Sequence, residues 1–491
     1  MPIFRGYYIA LDFWLSFALH LGYQIVSRCL DGIHIVIVEV VPVVSTCGQR
    51  GYFVDLFAGS GGLSLGLEQA GFTPILVNEI SHDAMETYLR NREESFPLLR
   101  HKYHVSDVRT LTTNGGQLLQ EFIQGFRDDY GINVESGELD LLVGGPPCQG
   151  YSRIGHRRIH TVSKRELALN HLYLHMIESI KRLQPRLFLF ENVLGLTTAK
   201  WTSEGDKGEV WDDVLASYRS LGGYHVEPWV VHAKDYGVPQ NRPRILIVGL
   251  REDISFEARE NWPAFGLLPL PTATAPNIED VLSDLIDLQY ENGDETLHYP
   301  GPPQSSVQRL LRCNPLDQQI SREGDLLTEH KYSRHSERII QKFSAIIASG
   351  GYIPPEHRTR KFSQRLLPAT WDAAGPNITV TSLTDDYVHY AQPRTLTVRE
   401  WARLQTFPDW YQFAGPRTTG GLKRAGRPSM GINDREVPKY TQIGNAVPVA
   451  MARAFGTHFM KLLRNHAING TEKHQDSSQP GRLLECPLDT T

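Results

Sequence analysis

Residues 52–62, YFVDLFAGSGG, are the stretch that decides the fold. The apolar run at 52–57 predicts a buried strand, and the pattern of 62–70 predicts a helix directly after a glycine-rich turn. Glycines in such a turn let the backbone bend tightly and let a nucleotide-like ligand approach the N-terminus of the helix. The stretch therefore predicts a strand–turn–helix unit with a ligand site at the turn.

The same alternation of short apolar runs and helical segments continues to residue 250. Helical periodicity returns near the C-terminus, at 397–404 and 447–463. Strands alternating with helices are typical of an α/β protein with a mostly parallel, doubly wound sheet. Further strands are predicted at 74–79, 139–143, 186–190, 225–231 and 244–250, and further helices at 82–91 and 167–183.

The chain has 491 residues, too many for one compact core, so we expect several domains. The apolar runs of the first fifty residues are too short or too interrupted to cross a bilayer, which favours an extra strand or an upstream extension over a membrane anchor. The expected divisions are an N-terminal extension of unknown role at 1–50, a regular α/β domain at 51–254, a smaller irregular mixed domain at 255–385, a segment completing the α/β domain at 386–465, and a disordered tail at 466–491.

The net charge of −5 does not point to a binding partner. A nucleic-acid-binding protein with this balance must concentrate its basic residues locally. The basic region, residues 331–365, holds eight Lys or Arg against two Glu, with Tyr332, Phe343, Tyr352 and Phe362 between them. It is a candidate phosphate-binding surface, and a solvated basic face is the common alternative. Residues 279–295, ahead of it, are acidic, and a capped surface helix starting near Asn277 is expected there.

Five cysteines are scattered along the chain, and no C-x-x-C pair occurs. The odd number and the spacing argue against a disulfide framework and against a zinc site, so no metal is expected. The pattern is typical of a reducing cytoplasm and leaves room for one reactive thiol. The five are Cys29, Cys47, Cys148, Cys313 and Cys486.

The cysteine in residues 141–150, LLVGGPPCQG, has the most informative surroundings. Two glycines permit a sharp exit from the predicted strand, and two prolines stiffen the backbone just before Cys148. A loop of about twenty residues follows, long enough to favour a functional role. It contains several arginines and lysines but no acidic residue before Glu166. Cationic surroundings favour the nucleophilic thiolate, whereas a buried structural cysteine is the commoner role of a lone Cys.

The glycine-rich turn favours S-adenosylmethionine over a dinucleotide. Ser64 occupies the third glycine position of G-x-G-x-x-G, which weakens the case for NAD or FAD. Glu79 lies twenty residues after Gly59, where an acidic side chain can accept hydrogen bonds from ribose hydroxyls. S-adenosylmethionine has a ribose and no pyrophosphate, so it suits both features. On spacing alone, an exposed strand-end position explains Glu79 equally well.

Several motifs in sequence order resemble those of DNA cytosine-5 methyltransferases of the bacterial or phage restriction–modification type. The resemblance extends over residues 52–463 and implies an α/β, doubly wound, Rossmann-like, S-adenosylmethionine-dependent core with a smaller, irregular, mixed target-recognition domain. The motifs lie at 55–72, 106–108 (SDV), 146–148 (PPC), 191–193 (ENV), 240–244 (QNRPR), 394–408 (RTLTVREWARLQTFP) and 441–448 (TQIGNAVP).

The resemblance implies four catalytic residues: Cys148, Glu191, Arg242 and Arg244. The Cys148 thiolate would add to C6 of cytosine, and Glu191 would hydrogen-bond N3 and the amino group. The two arginines would hold O2 of the base and orient Glu191. Without the surrounding motifs, Glu191 could be a solvated strand-end residue and the arginines an ordinary surface pair.

Cofactor and DNA contacts also follow from the resemblance. The implied cofactor-binding residues are Asp55, Phe57, Gly59, Gly61, Gly62, Leu63, Glu79, Ile80, Asp107, Val108, Pro146, Asn445, Ala446 and Val447. The implied DNA-binding residues are Gln149, Ser152, Arg153, Arg157, Arg158, Arg358, Arg360 and Lys361.

The resemblance implies a sequence-specific enzyme that flips a cytosine out of duplex DNA and transfers a methyl group from S-adenosylmethionine to C5. We expect the modification enzyme of a restriction–modification system, with double-stranded DNA as partner and any cognate restriction endonuclease acting separately. A monomer in the cytoplasm, associated with the nucleoid through DNA and not with a membrane, is expected.

Three alternatives remain at the level of sequence. An RNA cytosine-5 methyltransferase can use the same motifs, but QGYS after Cys148 is more similar to bacterial DNA enzymes. Enzymes that methylate amino groups carry an aromatic residue after Pro-Pro and need no thiol. A catalytically inactive DNA-binding relative is disfavoured because all four catalytic residues are present.

Overall fold

The structure is a computed structural model, and the chain divides into two compact units, Met1–Arg50 and Gly51–Thr491. In the first unit, strands β1 (Tyr23–Gln24) and β2 (Val41–Pro42) pair antiparallel. The structure describes residues 23–24, 41–42, 51–147, 171–202, 204–255, 266–358, 365–370, 387–418 and 437–471.

A seven-stranded sheet forms the centre of the second unit, in the order β5-β4-β3-β6-β7-β9-β8. Strands β5, β4, β3, β6 and β7 run parallel to one another, and β9 runs antiparallel to both β7 and β8. The sheet is therefore mostly parallel, as the sequence predicts. Its strands are β3 (Gly51–Leu56), β4 (Phe72–Asn78), β5 (His104–Val105), β6 (Leu141–Gly144), β7 (Leu187–Val193), β8 (Tyr224–His232) and β9 (Pro243–Arg251).

Helices cover both faces of this sheet. Alternate residues of its strands point to opposite faces, and each set packs with helices in a separate hydrophobic core. Val54 and Leu142 pack with α2, α4, α5 and α6 on one face. Phe53 and Val143 pack with α1 and α13 on the other. These helices are α1 (Gly62–Gln69), α2 (His82–Arg90), α3 (Pro97–His101), α4 (Gln117–Tyr130), α5 (Tyr173–Leu183), α6 (Glu209–Arg219), α7 (Glu252–Ser255) and α13 (Val449–Thr471). The doubly wound class is confirmed.

The remaining region is irregular and contains short elements. Strands β10 (Arg365–Leu366) and β11 (Tyr387–Val388) pair parallel. Its helices are α8 (Ile278–Leu282), α9 (Ser306–Arg312), α10 (Glu337–Ala348), α11 (Val398–Leu404) and α12 (Lys439–Asn445). Short 3-10 helices occur at Val108–Leu111, Asn114–Gly116, Val134–Ser136, Leu194–Thr198, Ala233–Asp235, Ser283–Leu285 and Pro355–His357. No helix among the described residues is long and apolar enough to span a membrane.

The expected capped helix begins at Asn277, but it is much shorter than the acidic stretch at 279–295. The capping box at Asn277 is present, but α8 contains only five residues. Its apolar side chains Ile278, Val281 and Leu282 are buried, so the helix packs into a core. Asp284, just beyond it, is buried as well.

Asp284 belongs to a buried charge network that joins distant parts of the chain. Its carboxylate contacts Arg403 Nη1 at 2.5 Å and Arg312 Nη2 at 2.6 Å. Arg403 Nη2 also contacts Asp409 Oδ2 at 2.6 Å. These side chains are almost completely buried, so each charge depends on its partner rather than on water. The network ties residues 284–312 to residues 403–409.

Replacing Asp284 with Asn should therefore destabilise the fold. Two buried guanidinium groups would lose a counter-charge, so we expect the free energy of unfolding to fall by about 3–5 kcal/mol. Urea denaturation of the full chain measures this. The exposed carboxylate of Asp294 provides a matched control, for which Asp294→Asn should change stability by less than about 0.5 kcal/mol. Equal effects of the two substitutions would contradict the role of the network.

Candidate functional site

The candidate site lies where the direction of strand order reverses. From β3 the chain proceeds to β4 and β5 on one side, whereas β6 and β7 lie on the other. Leu56 and Gly144 end β3 and β6 as register partners, and Gly145 N donates to Leu56 O at 3.3 Å. In open α/β sheets such a reversal forms a crevice that binds ligands. The glycine turn, residues 57–62, and the residues before Cys148 leave the sheet side by side at this crevice.

The glycine turn has one packed side and one open side. Phe57, Gly59 and Gly61 have φ values of 61°, 58° and 82°, so the turn depends on left-handed backbone conformations. A Cβ on Gly61 would lie 2.8 Å from Tyr88 Cδ2. A Cβ on Gly59 would have no heavy atom within 4 Å. A ligand can therefore approach the turn at Gly59.

The Glu79 carboxylate lies at the open edge of the turn. Its Oε2 accepts from Gly59 N at 2.9 Å, and its Oε1 accepts from Ser81 N at 2.8 Å. Burial raises the pKa of Glu79, and these backbone hydrogen bonds oppose the shift. The carboxylate has about four acceptor positions, so it retains capacity for a hydroxyl donor. The structure thus brings Glu79 and Gly59, which are distant in sequence, into direct contact.

The segment with Asp107 lies beside Glu79 because β5 pairs with β4. Glu79 N donates to Val105 O at 3.1 Å. The Asp107 carboxylate contacts Arg109 Nη2 at 2.5 Å, and Arg109 lowers the pKa of Asp107. Val108 is buried, whereas Ile80 is 72% exposed. A ligand that bound to the Asp107 carboxylate would share this carboxylate with the Arg109 guanidinium.

The closing motif, residues 441–448, packs directly against the glycine turn. A Cβ on Gly62 would lie 2.3 Å from Val447 O and 3.2 Å from Ala446 Cβ, so only glycine fits there. Asn445, at the end of α12, is exposed. Leu63 is buried in the core beneath. The C-terminal part of the chain therefore forms one wall of the turn.

Glu191 lies next to the residues that lead to Cys148. Its Oε1 contacts Arg244 Nε at 2.6 Å, and a Cβ on Gly145 would lie 3.1 Å from its Oε2. The neighbouring Asn192 Nδ2 donates to Pro146 O at 3.0 Å. Cys148 itself lies outside the described residues, one position beyond the last described residue of this segment. The structure places the predicted acid beside the approach to the predicted nucleophile.

The two predicted arginines have different surroundings. Arg244 pairs with Glu191, and burial lowers its pKa while the Glu191 carboxylate opposes the shift. Arg242 Nη2 donates to Gly444 O at 2.6 Å, which links β9 to the closing motif. Burial, and then the charge of Arg244, lower the pKa of Arg242. Arg244 is thus the arginine that contacts Glu191, and Arg242 connects two motifs.

The family model for C-5 cytosine-specific DNA methylases matches residues 51–461. The chain belongs to this family. The match includes the sheet, the irregular region and most of α13.

Relatives are similar over most of the chain, and a solved structure is similar in fold. The chain is 29% identical over 425 residues to the Type II methyltransferase M.DdeI of Desulfomicrobium norvegicum, an alignment that covers 84% of this chain and 89% of that protein. It is 29% identical over 421 residues to the Type II methyltransferase M.XorII of Xanthomonas oryzae pv. oryzae, with coverages of 84% and 85%. A crystal structure described as a prophage-encoded DNA modification methyltransferase (E. coli) is 23% identical, with a TM-score of 0.58, covering 84% of this chain and 100% of that chain. The last comparison supports the fold.

Of the predicted DNA-binding residues, Arg358 lies among the residues that the structure describes. Arg358 is exposed; its guanidinium donates to Ile353 O at 3.1 Å and to the Tyr352 hydroxyl at 3.2 Å. Within the basic region Tyr332 and Phe343 are buried, so these two aromatic residues belong to the core and not to a binding surface. Residues outside the described part are Gln149, Ser152, Arg153, Arg157, Arg158, Arg360, Lys361 and Phe362.

Sequence reasoning missed several side-chain contacts that hold the candidate site together. Gln240 Nε2 donates to Leu404 O at 2.6 Å, which joins the segment before β9 to α11. Arg92 and Tyr411 hold carbonyl oxygens of the glycine turn. Their partners are distant in sequence, so no local pattern identifies them. No group of three or more His, Cys, Asp or Glu that could hold a metal occurs among the described residues.

Asp55 was expected to bind the cofactor, and the structure places it beneath the turn. It is 1% exposed, and Ser64 Oγ donates to its Oδ2 at 2.5 Å. Burial raises the pKa of Asp55 to about 7, although the Ser64 hydrogen bond and the charge of Arg92 lower it. A direct contact with the cofactor stays a prediction; the described contact is with α1.

The raised pKa has a measurable effect on stability. The unfolded chain loses the Asp55 proton first, so the stability contributed by this carboxyl is present at low pH and is lost as pH rises towards about 7. The Asp55→Asn variant lacks this titration. We expect the unfolding free energy of the variant minus that of the parent to rise by up to about 1.4 kcal/mol per pH unit between about pH 4 and 7 and then to level off.

Urea denaturation of both proteins across this pH range gives the difference directly. Asp294→Asn is the control, since Asp294 is exposed. A pH-independent difference for Asp55→Asn would show that Asp55 titrates as an ordinary carboxyl.

Proposed function

We propose that this chain is a sequence-specific DNA cytosine-5 methyltransferase in which Cys148 is the nucleophile and Glu191 the acid. Membership of the C-5 cytosine-specific DNA methylase family gives the reaction class. The observation that carries the assignment of residues is the Glu191–Arg244 ion pair beside Gly145, at the approach to Cys148.

The chemistry requires a nucleophile because C5 of cytosine does not attack a methyl donor unaided. The Cys148 thiolate adds to C6, forming a C–S bond, while Glu191 stabilises a proton at N3. C5 then has enamine character and would form a bond to the methyl carbon of S-adenosylmethionine, whose bond to sulfur would break, so that S-adenosylhomocysteine would leave. A base removes the C5 proton, the C6–S bond breaks and the proton at N3 returns to Glu191, which regenerates the Cys148 thiolate and releases 5-methylcytosine.

Arg244 has two roles in this scheme. Its contact with Glu191 fixes the position of the carboxylate before the base arrives, which removes the cost of ordering it during the reaction. Its positive charge also favours a thiolate nearby. Arg242, buried against the closing motif, supports the start of the same strand.

The crevice fits S-adenosylmethionine, which supplies an electrophilic methyl group when bound. The open side of Gly59 admits a ligand, and the Glu79 carboxylate beside it suits ribose hydroxyls. Phe57 is half-buried at the start of the turn, next to Asn78. Ala446 and Val447 pack against Gly62 at the other end of the turn, and Asn445 beside them would hold the cofactor by the family resemblance.

A cytosine inside a duplex does not expose C6, so the target nucleotide must leave the helix. The loop after Cys148 is the proposed clamp on the flipped base, and the exposed basic residues Lys331, Arg334 and Arg338 are proposed phosphate contacts. By analogy with the Type II methyltransferases, we propose a modification enzyme of a restriction–modification system. We further propose a cytoplasmic monomer, separate from any cognate endonuclease.

Cys148→Ala should abolish methylation. The parent and the variant are expressed in a host that lacks cytosine methylation, and the host DNA is sequenced after bisulfite treatment. We expect the parent to protect cytosines in one short sequence context and the variant to protect none, because the C6 adduct cannot form.

Cys313→Ala is the matched control, since Cys313 is a free, partly buried cysteine outside the crevice. It should methylate as the parent does. A folded parent that protects no cytosine would overturn the DNA assignment and direct the search to RNA substrates. Full activity of Cys148→Ala would exclude Cys148 as nucleophile.

A further inference from the structure

Two buried side chains that the chemistry above does not use hold the packed side of the glycine turn. Tyr411 donates its hydroxyl hydrogen to Ser60 O at 2.6 Å. Arg92 Nη2 donates to Gly61 O at 3.2 Å, and Arg92 Nη1 donates to the Tyr411 hydroxyl oxygen at 3.1 Å. Two consecutive carbonyl oxygens of the turn are therefore held by side chains from distant parts of the chain.

The Arg92 guanidinium is itself fixed by further contacts with Glu68 and Tyr88. Its Nε donates to Glu68 Oε1 at 2.7 Å, and its Nη1 donates to Tyr88 O at 2.9 Å. The guanidinium carbon lies 3.8 Å from the centroid of the Tyr88 ring. Only 1% of Arg92 is exposed. A planar guanidinium with this many fixed partners cannot rotate away from Gly61, whereas a lysine ammonium would reach one of these groups as a point charge.

These contacts fix peptide orientation in the turn. Because a peptide unit is planar, holding the carbonyl oxygens of Ser60 and Gly61 also sets the directions of the next two N–H groups. A Cβ on Gly61 would lie 2.9 Å from both Arg92 Nη1 and Tyr411 Oη, so no gap separates the turn from these side chains. The opposite side, at Gly59, is open.

We propose that Arg92 and Tyr411 are positioning residues for the methyl donor. They hold the glycine turn in the shape that binds S-adenosylmethionine and set the affinity for it without touching the reacting atoms. The inference rests on the proposed cofactor site. A preordered turn loses less conformational freedom when the ligand binds, so loosening the turn weakens binding more than it slows the chemical step at saturation.

Tyr411→Phe is the main test because it removes one hydroxyl and keeps the ring. Isothermal titration calorimetry of the full chain with S-adenosylmethionine, and separately with S-adenosylhomocysteine, should show Kd raised about tenfold, equivalent to about 1.4 kcal/mol. Arg92→Lys keeps the charge near Glu68 and loses the planar fork, so its Kd should rise at least as much. In methylation assays KM for the cofactor should rise with Kd, while kcat at saturating cofactor stays within about twofold.

Tyr224→Phe is the matched control. The Tyr224 hydroxyl is buried and donates to Pro185 O at 2.7 Å, away from the turn. This variant should bind the cofactor as the parent does, even if its melting temperature falls as far as that of Tyr411→Phe. A loss of affinity as large in Tyr224→Phe would overturn the inference, because it would reflect general destabilisation.

The remaining outcomes separate the two proposals. A parent that binds neither compound would overturn the proposed cofactor site and the inference with it. A parent that binds both, with Tyr411→Phe and Arg92→Lys unchanged in Kd, would overturn the inference alone. If Tyr411→Phe fails to fold, an unchanged Kd in Arg92→Lys overturns the inference and a raised Kd supports it.

Discussion

The parallel pairing of β3 with β6 is the constraint on which the site depends. Because Leu56 and Gly144 end these strands in register, the glycine turn and the segment before Cys148 must leave the sheet at the same edge. Helix α1, which follows β3, and helix α5, the next described helix after β6, pack on opposite faces of the sheet, and a crevice forms between the two strand ends. Methyl donor and nucleophile are thereby proposed to meet at one place, although their residues are nearly ninety positions apart.

The C-terminal part of the chain completes this crevice by close packing of backbone. Val447 O approaches Gly62 so closely that no larger residue fits. Gln240 and Arg242 donate to carbonyl groups of Leu404 and Gly444, which connects the segment before β9 with α11 and with the closing motif. The buried charge network then links the same C-terminal motifs to the irregular region. Buried polar contacts therefore join the segment before β9, the C-terminal motifs and the irregular region.

Local sequence patterns predicted the sheet well, because apolar runs and glycine turns are local features. The six predicted strands of the regular part are all present, and β5, only two residues long, was missed. Patterns failed where burial depends on distant partners. The sequence places Asp284 in an acidic stretch that was expected at the surface, yet its carboxylate is buried and paired with Arg312 and Arg403. Tyr332 and Phe343 read as candidates for DNA contact and lie in cores. Arg92 gives no local signal, since its role comes from Gly61 and Tyr411.

In the proposed reaction, Cys148 forms a covalent bond to C6 of the target cytosine beside Glu191. Duplex DNA carrying 5-fluorocytosine at the target position tests it most directly, because C5 then has no proton to lose and the C6–S bond cannot be eliminated. After incubation with S-adenosylmethionine, the protein is denatured, digested and analysed by mass spectrometry. We expect a single adduct, on Cys148, with a methyl group on C5 of the trapped base. An adduct on Cys29, Cys47, Cys313 or Cys486, or no adduct from a protein that methylates ordinary DNA, would contradict it.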